Sequence, residues 1–183
     1  DDTANVASSQ SLFKFLYDSS FDFTINFWFK KFSSSGSGED VMINNRNNDN
    51  GVQCKFQDGS YGKQFVWKAE SASTLWMDKT TDADTLPQDT NWHMWTLTGV
   101  HTNASSSACT LTIDNDSSTR YNLAEDSTAS GSNNSDYILY IASENNDSGF
   151  WKGYLTEFSI WNRVLSSDEL TTIFNNKSTG IPQ

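Results

Sequence analysis

The chain has 183 residues and a net charge of −11, from 23 acidic against 12 basic side chains. No stretch approaches the ~18 apolar residues of a membrane-spanning helix, and the acidic balance argues against a broad basic surface for nucleic acid or anionic membranes. Aromatic residues reach 14%, with 12 Phe and 7 Trp but only 2 Pro, a mixture that suits an all-β protein with polar loops. The length fits one domain over residues 1–183 with room for a real core. The first residue is Asp1 rather than Met, as expected of a processed protein or a piece of a larger one.

Residues 11–17 read as a first strand. Residues 21–30 are the clearest early one, because Phe21, Phe23, Ile25, Phe27 and Phe29 alternate onto one face. A Gly/Ser-rich loop over 33–40 leads to a strand opening at Val41, and 44–51 is a polar turn ending in Gly51. Residues 51–57 and 64–69 form two strands with the hairpin signal Asp58-Gly59 between them. Residues 70–90 are polar and weakly patterned. Strands return at 92–101 and 108–114, followed by an Asp114-Asn115-Asp116 turn and a low-complexity loop over 125–136.

An apolar run from Tyr137 precedes a last strand, 154–161, in which Tyr154, Thr156, Phe158 and Ile160 alternate with Leu155, Glu157, Ser159 and Trp161. Ser166-Ser167-Asp168-Glu169 then predicts a capping box, and Leu170, Ile173 and Phe174 follow at helical spacing. Phe23, Ile25, Phe27, Phe158 and Ile160 are the expected core. Strands every 10 to 15 residues, without a long helix or a repeat, predict a β-sandwich.

Few residues offer catalytic chemistry. His93 and His101 have no Ser and acid in a G-x-S-x-G-like context. Two Cys and two His form no zinc set, and Asn45-x-Asn47-x-Asp49 lacks the Gly and the late Glu of an EF-hand. Cys54 and Cys109 each fall on the apolar side of an alternating run, so both point inward, as buried thiols or as one disulfide. The sequons at Asn103, Asn115, Asn133, Asn146 and Asn176 are close to the number that an Asn-, Ser- and Thr-rich chain gives by chance.

Several segments, in order, resemble a laminin G-like domain of the concanavalin A-like lectin/glucanase superfamily. They are Phe23-Thr24-Ile25-Asn26-Phe27-Trp28, Asn91-Trp92-His93 through Thr98, Thr110-Leu111-Thr112-Ile113-Asp114, and the closing run Gly153-Tyr154-Leu155, Thr156-Glu157, Trp161-Asn162-Arg163 and Leu165-Ser166 to Glu169. Thr156 stands where many relatives carry Asp. The resemblance implies a two-sheet antiparallel sandwich, or jelly roll, with one short C-terminal helix. It also implies a non-catalytic extracellular recognition or adhesion module, with a glycan or surface glycoprotein as partner and no membrane insertion. The alternative is a structural decorating or attachment domain that packs on other subunits of a viral particle or cell-surface fibre. A glycoside hydrolase is the third reading, disfavoured because no E-x-D-x-x-E pattern pairs two carboxylates on one strand.

The superfamily often holds one Ca²⁺ at a rim; Glu157, Asp18 and Asp22 are the ligands this would imply here, against a plain reading as solvated or hydrogen-bonded acids. Trp28, Trp92, Trp95, Trp151 and Trp161 fall in core slots or next to them. Trp76 and Trp67 do not. Trp76, in a polar segment read as a loop, is therefore the candidate sugar-stacking residue and Trp67 the second, the alternative for Trp76 being a loop anchor folded onto the sheet.

Overall fold

The computed structural model describes residues 4–5, 13, 15–16, 22–32, 39–45, 51–59, 62–71, 74–80, 87, 89–103, 106–117, 120–124, 138–143 and 150–176. These form two antiparallel sheets and one short helix. The strands are β1 (Ala4–Asn5), β2 (Phe23–Lys31), β3 (Glu39–Asn44), β4 (Gly51–Gly59), β5 (Gly62–Ser71), β6 (Thr74–Thr80), β7 (His93–Asn103), β8 (Ser106–Ile113), β9 (Arg120–Ala124), β10 (Tyr140–Ile141) and β11 (Gly153–Trp161), with α1 at Ser167–Asn175. One sheet has the order β1-β10-β3-β4-β5-β6 and the other β11-β2-β7-β8-β9. The expected jelly-roll class is the observed one.

The core lies between the sheets. The inner face of β2 contributes Phe23, Ile25, Phe27 and Phe29, all essentially inaccessible. Phe27 stacks on Trp95 at 4.6 Å and on Phe158 at 5.8 Å. Met42, Ile43, Val52 and Cys54 close the core from the other sheet. A Cβ at Gly99 would collide with the Phe23 ring, so the close approach of β7 to that ring requires glycine here. Phe158 and Ile160 pack against this core but are only half-buried. Cys54 and Cys109 are both buried free thiols, and burial pushes both thiols up from their ordinary range.

The outer face of β2 is buried as well, by α1 and the segment that leads into it. Thr24 donates its hydroxyl to the Arg163 carbonyl and accepts from the Leu165 amide, both at 2.9 Å. Asn26 donates to the Trp95 carbonyl and to the Thr96 hydroxyl. Trp28 stacks on Phe174 of α1 at 5.7 Å, and Asn115 donates to the Thr171 hydroxyl.

Four expectations need correction. Phe13, Phe15 and Leu16 are not a strand but have 3₁₀ geometry, which brings positions three apart onto one side and buries Leu16 completely. Asp58-Gly59 is not the hairpin turn; β4 runs through it, and pairing continues to Gly59 opposite Gly62. Trp76 is not in a loop but in β6, an edge strand. The strict alternation of β11 also breaks. Thr156 pairs with Trp28 and Ser159 with Asn26, so Glu157 and Phe158 together oppose Phe27. Glu157 takes φ 53°, the left-handed residue of a bulge.

Candidate functional site

The bulge decides which way the end of β11 faces. With unbroken alternation, Trp161 would share the core face of Leu155. The extra residue shifts the pattern, so Trp161 pairs with Thr24 and lies on the outer face with Tyr154. Five residues after Trp161 the chain enters α1. Ser166 is its N-cap: the Ser166 hydroxyl accepts from the Glu169 amide, and the Glu169 carboxylate accepts from the Ser166 amide. This is the capping box that the sequence predicts.

Trp161, Arg163 and Leu165 on one side and Asp168, Glu169, Thr172 and Ile173 on the other line a pocket of about 370 Å³. Its polar groups are held in place. Arg163 donates to Glu169 through both guanidinium ends, at 2.9 and 2.6 Å. That pairing, with the Ser166 amide, holds the Glu169 carboxyl down to about 2. Thr172 donates its hydroxyl to the Asp168 carbonyl at 2.8 Å. The pocket therefore offers a half-buried indole, a rigid charge pair and the exposed Asp168 carboxylate. A general acid for glycoside cleavage needs a raised carboxyl; Glu169 is shifted the opposite way.

A second polar cluster lies where β7 begins. His93 Nδ1 is 2.7 Å from Asp114 Oδ2, and Nε2 is 2.9 Å from Asp89 Oδ1. Asp114 also accepts from the Met94 amide at 2.8 Å and heads a turn in which both it and Asn115 are left-handed. Burial opposes charge on His93, but the hydrogen bonds to Asp114 and Asp89 outweigh it and raise the imidazole above its ordinary value. His93 and Asp114 thus clasp the start of β7 to the end of β8.

The residues expected to bind ligand are dispersed. Trp67 pairs in register with Cys54, a core residue, and with Lys79. Trp76 is the unpaired position where the β5–β6 register slips, since Ala69 opposes Met77 and Glu70 opposes Leu75. Asp18 lies outside the described residues. Asp22 and Glu157 are both exposed. Glu157 is level with Phe27, five positions from Asp22 and thus about 17 Å along the strand at ~3.3 Å per residue. These two acids do not converge on one cation, and among the described residues no three His, Cys, Asp or Glu side chains do.

Of the five Trp placed in core slots or next to them, Trp28, Trp95 and Trp151 are buried, whereas Trp92 and Trp161 are half-buried. The signal that could have singled out Trp161 was its position just before the capping box, where the chain must leave the sheet.

A laminin G family model, described as the concanavalin A-like lectin/glucanases superfamily, matches residues 2–171. No curated protein matches the chain in sequence. Among solved structures, the receptor binding domain of botulinum neurotoxin C/D mosaic serotype is similar, with a TM-score of 0.62 at 14% identity over 96% of this chain and 40% of that one. A botulinum neurotoxin type C structure, whose description makes cell entry dependent on two ganglioside molecules, is similar at a TM-score of 0.57 and 15% identity, over 85% of this chain and 35% of that one. The binding domain of botulinum neurotoxin DC in complex with SialylT gives 0.59 and 14%, over 90% and 37%. This chain thus spans well under half the length of these proteins, and at such identities the likeness is one of fold.

Proposed function

The chain belongs to the concanavalin A-like lectin/glucanase superfamily, and from that premise we propose that it is a non-catalytic carbohydrate-recognition module acting outside the cell or on its surface. The observation that carries this reading is the composition of the pocket between β11 and α1. Sugar sites combine an apolar platform with a few fixed polar groups. Here the Trp161 indole is the platform. Arg163 and Glu169 orient each other through two hydrogen bonds, which lowers the cost of ordering them when a hydroxyl approaches, and Asp168 is the acceptor that faces solvent. The similar toxin domains described with gangliosides and a sialyl glycan support the ligand class by analogy of fold. Asp22 and Glu157 are too far apart to share one Ca²⁺, so the pocket reading is built without a cation.

A glycan array on the purified protein tests the proposal, followed by calorimetry on the best ligand. Trp161→Ala should weaken binding about thirtyfold, the usual loss when a stacked Trp is truncated. Asp168→Asn, at an exposed position, should weaken it with only a small fall in the thermal melt, because the Asp168 charge also favours the N-terminus of α1. Trp76→Ala is the control arm. If it removes binding while both pocket variants keep it, the site is at β6 instead. If the parent binds no glycan and is recovered packed on other subunits, the structural reading replaces this one.

A further inference from the structure

The outer face of the β11-β2-β7 sheet continues beyond α1, and there it carries an aromatic cluster. Tyr154 pairs with Lys30, and the pair Phe29–His93 sets Lys30 level with Trp92. Tyr154, Lys30 and Trp92 therefore form one row across three strands, one step past the Trp28 row that Phe174 covers. Phe32 extends the row's edge, its amide donating to the Lys152 carbonyl at 3.2 Å. The Phe32 and Tyr154 rings meet edge to face at 4.9 Å, and Trp92 lies 6.1 Å from Tyr154 at a tilt of 35°. Phe32 is 60% exposed and Tyr154 54%, while every aromatic on the inner face of β2 is buried. The helix ends before it reaches them.

We propose that Phe32, Trp92 and Tyr154, with Lys30, form a second glycan subsite that takes an acidic sugar. Electron-rich ring faces attract the weakly positive C–H face of a pyranose. The aromatic row contains an ammonium group, and Lys152, 59% exposed, stands at its edge. Asp89 and Asp114 hold His93, and Asp40 is 3.6 Å from Lys152, so the edge lysine is paired and Lys30 is the cation within the row. A carboxylate-bearing sugar is complementary both to the rings and to the Lys30 ammonium set among them. Three rings spaced at 4.9 and 6.1 Å suit one or two sugar units rather than the broad face that a stable protein interface needs. The inference rests on the glycan-binding reading but not on the Trp161 pocket, because the two sites are six strand positions apart, about 20 Å.

The test is paired titration of the full chain with 3′-sialyllactose and lactose, followed by NMR and calorimetry. The parent should prefer the acidic sugar, with chemical-shift changes at Phe32, Trp92 and Tyr154. Tyr154→Ser should reduce affinity for the acidic sugar at least tenfold, and Lys30→Gln should abolish the preference. Unchanged acidic-sugar affinity in folded Tyr154→Ser and Lys30→Gln overturns this inference and leaves the pocket reading standing. Absence of binding to either sugar and to every glycan on the array overturns both.

Discussion

The two faces of β2 are buried equally well by different means. The inner face meets another sheet, and four apolar side chains fill the gap: Phe23, Ile25, Phe27 and Phe29. The outer face meets a helix and its lead-in segment, and there Thr24 and Asn26 are buried through satisfied hydrogen bonds, with only Trp28 stacking. Inner burial is held by area and shape, outer burial by a few directional contacts. The consequence is functional: a layer pinned at few points leaves room at its ends. The Trp161 pocket opens at the start of α1 and the aromatic row lies past its end.

The largest expected effect falls on the inner face. Phe27→Ala removes a ring packed on Trp95, Phe29 and Phe158, and should cost about 3–5 kcal/mol in urea titration. A loss below 1 kcal/mol would mean that the core does not depend on this contact. On the outer face, Thr24→Val keeps the shape but leaves the buried Leu165 amide without its acceptor, at a cost of about 1–3 kcal/mol. Hydrogen exchange should then quicken in α1 and not in β7. If exchange rises equally in both, the helix is part of the core and the contrast between the faces fails.

The inner face was legible in the sequence because period-two alternation is a local signal, and β2 carries it without interruption. The helix start was legible for the same reason: Ser166 and Glu169 are three residues apart. The bulge was not. Glycine is the residue that marks a left-handed position, and at Glu157 the sheet imposes φ 53° on a residue without that preference. That single hidden residue puts Leu155 on the core side together with Phe158 and Ile160, which strict alternation sets on opposite faces, and leaves Trp161 on the outer face. β6 was missed because TLWMDKT lacks clear alternation, as an edge strand often does. The pocket and the aromatic row join residues far apart in sequence, and only the register across β11, β2 and β7 brings them together.

The smallest expected effect concerns the clasp where β7 starts, and it depends on pH. A neutral imidazole has one N–H, yet His93 faces a carboxylate at each nitrogen. Only the imidazolium donates to both, which is why its folded value lies above 6.5. The stabilisation it supplies is complete below pH 6.5 and is lost as pH rises through the folded value. Asp89 runs the other way. The hydrogen bond from His93 lowers its carboxyl below 3.8, so its share is present above that value and lost as pH falls through the lower one. Stability from the clasp should therefore be greatest between the two and fall modestly from pH 6 to pH 9. The group is partly solvated, so the fall should stay under about 1 kcal/mol. Asp114 stays fixed by the Met94 amide, so on deprotonation the exposed Asp89 is the partner released. His93→Gln should flatten the drift, and NMR titration should place the His93 midpoint above 6.5. A midpoint below 6.5 in the folded protein would show that burial outweighs the two carboxylates.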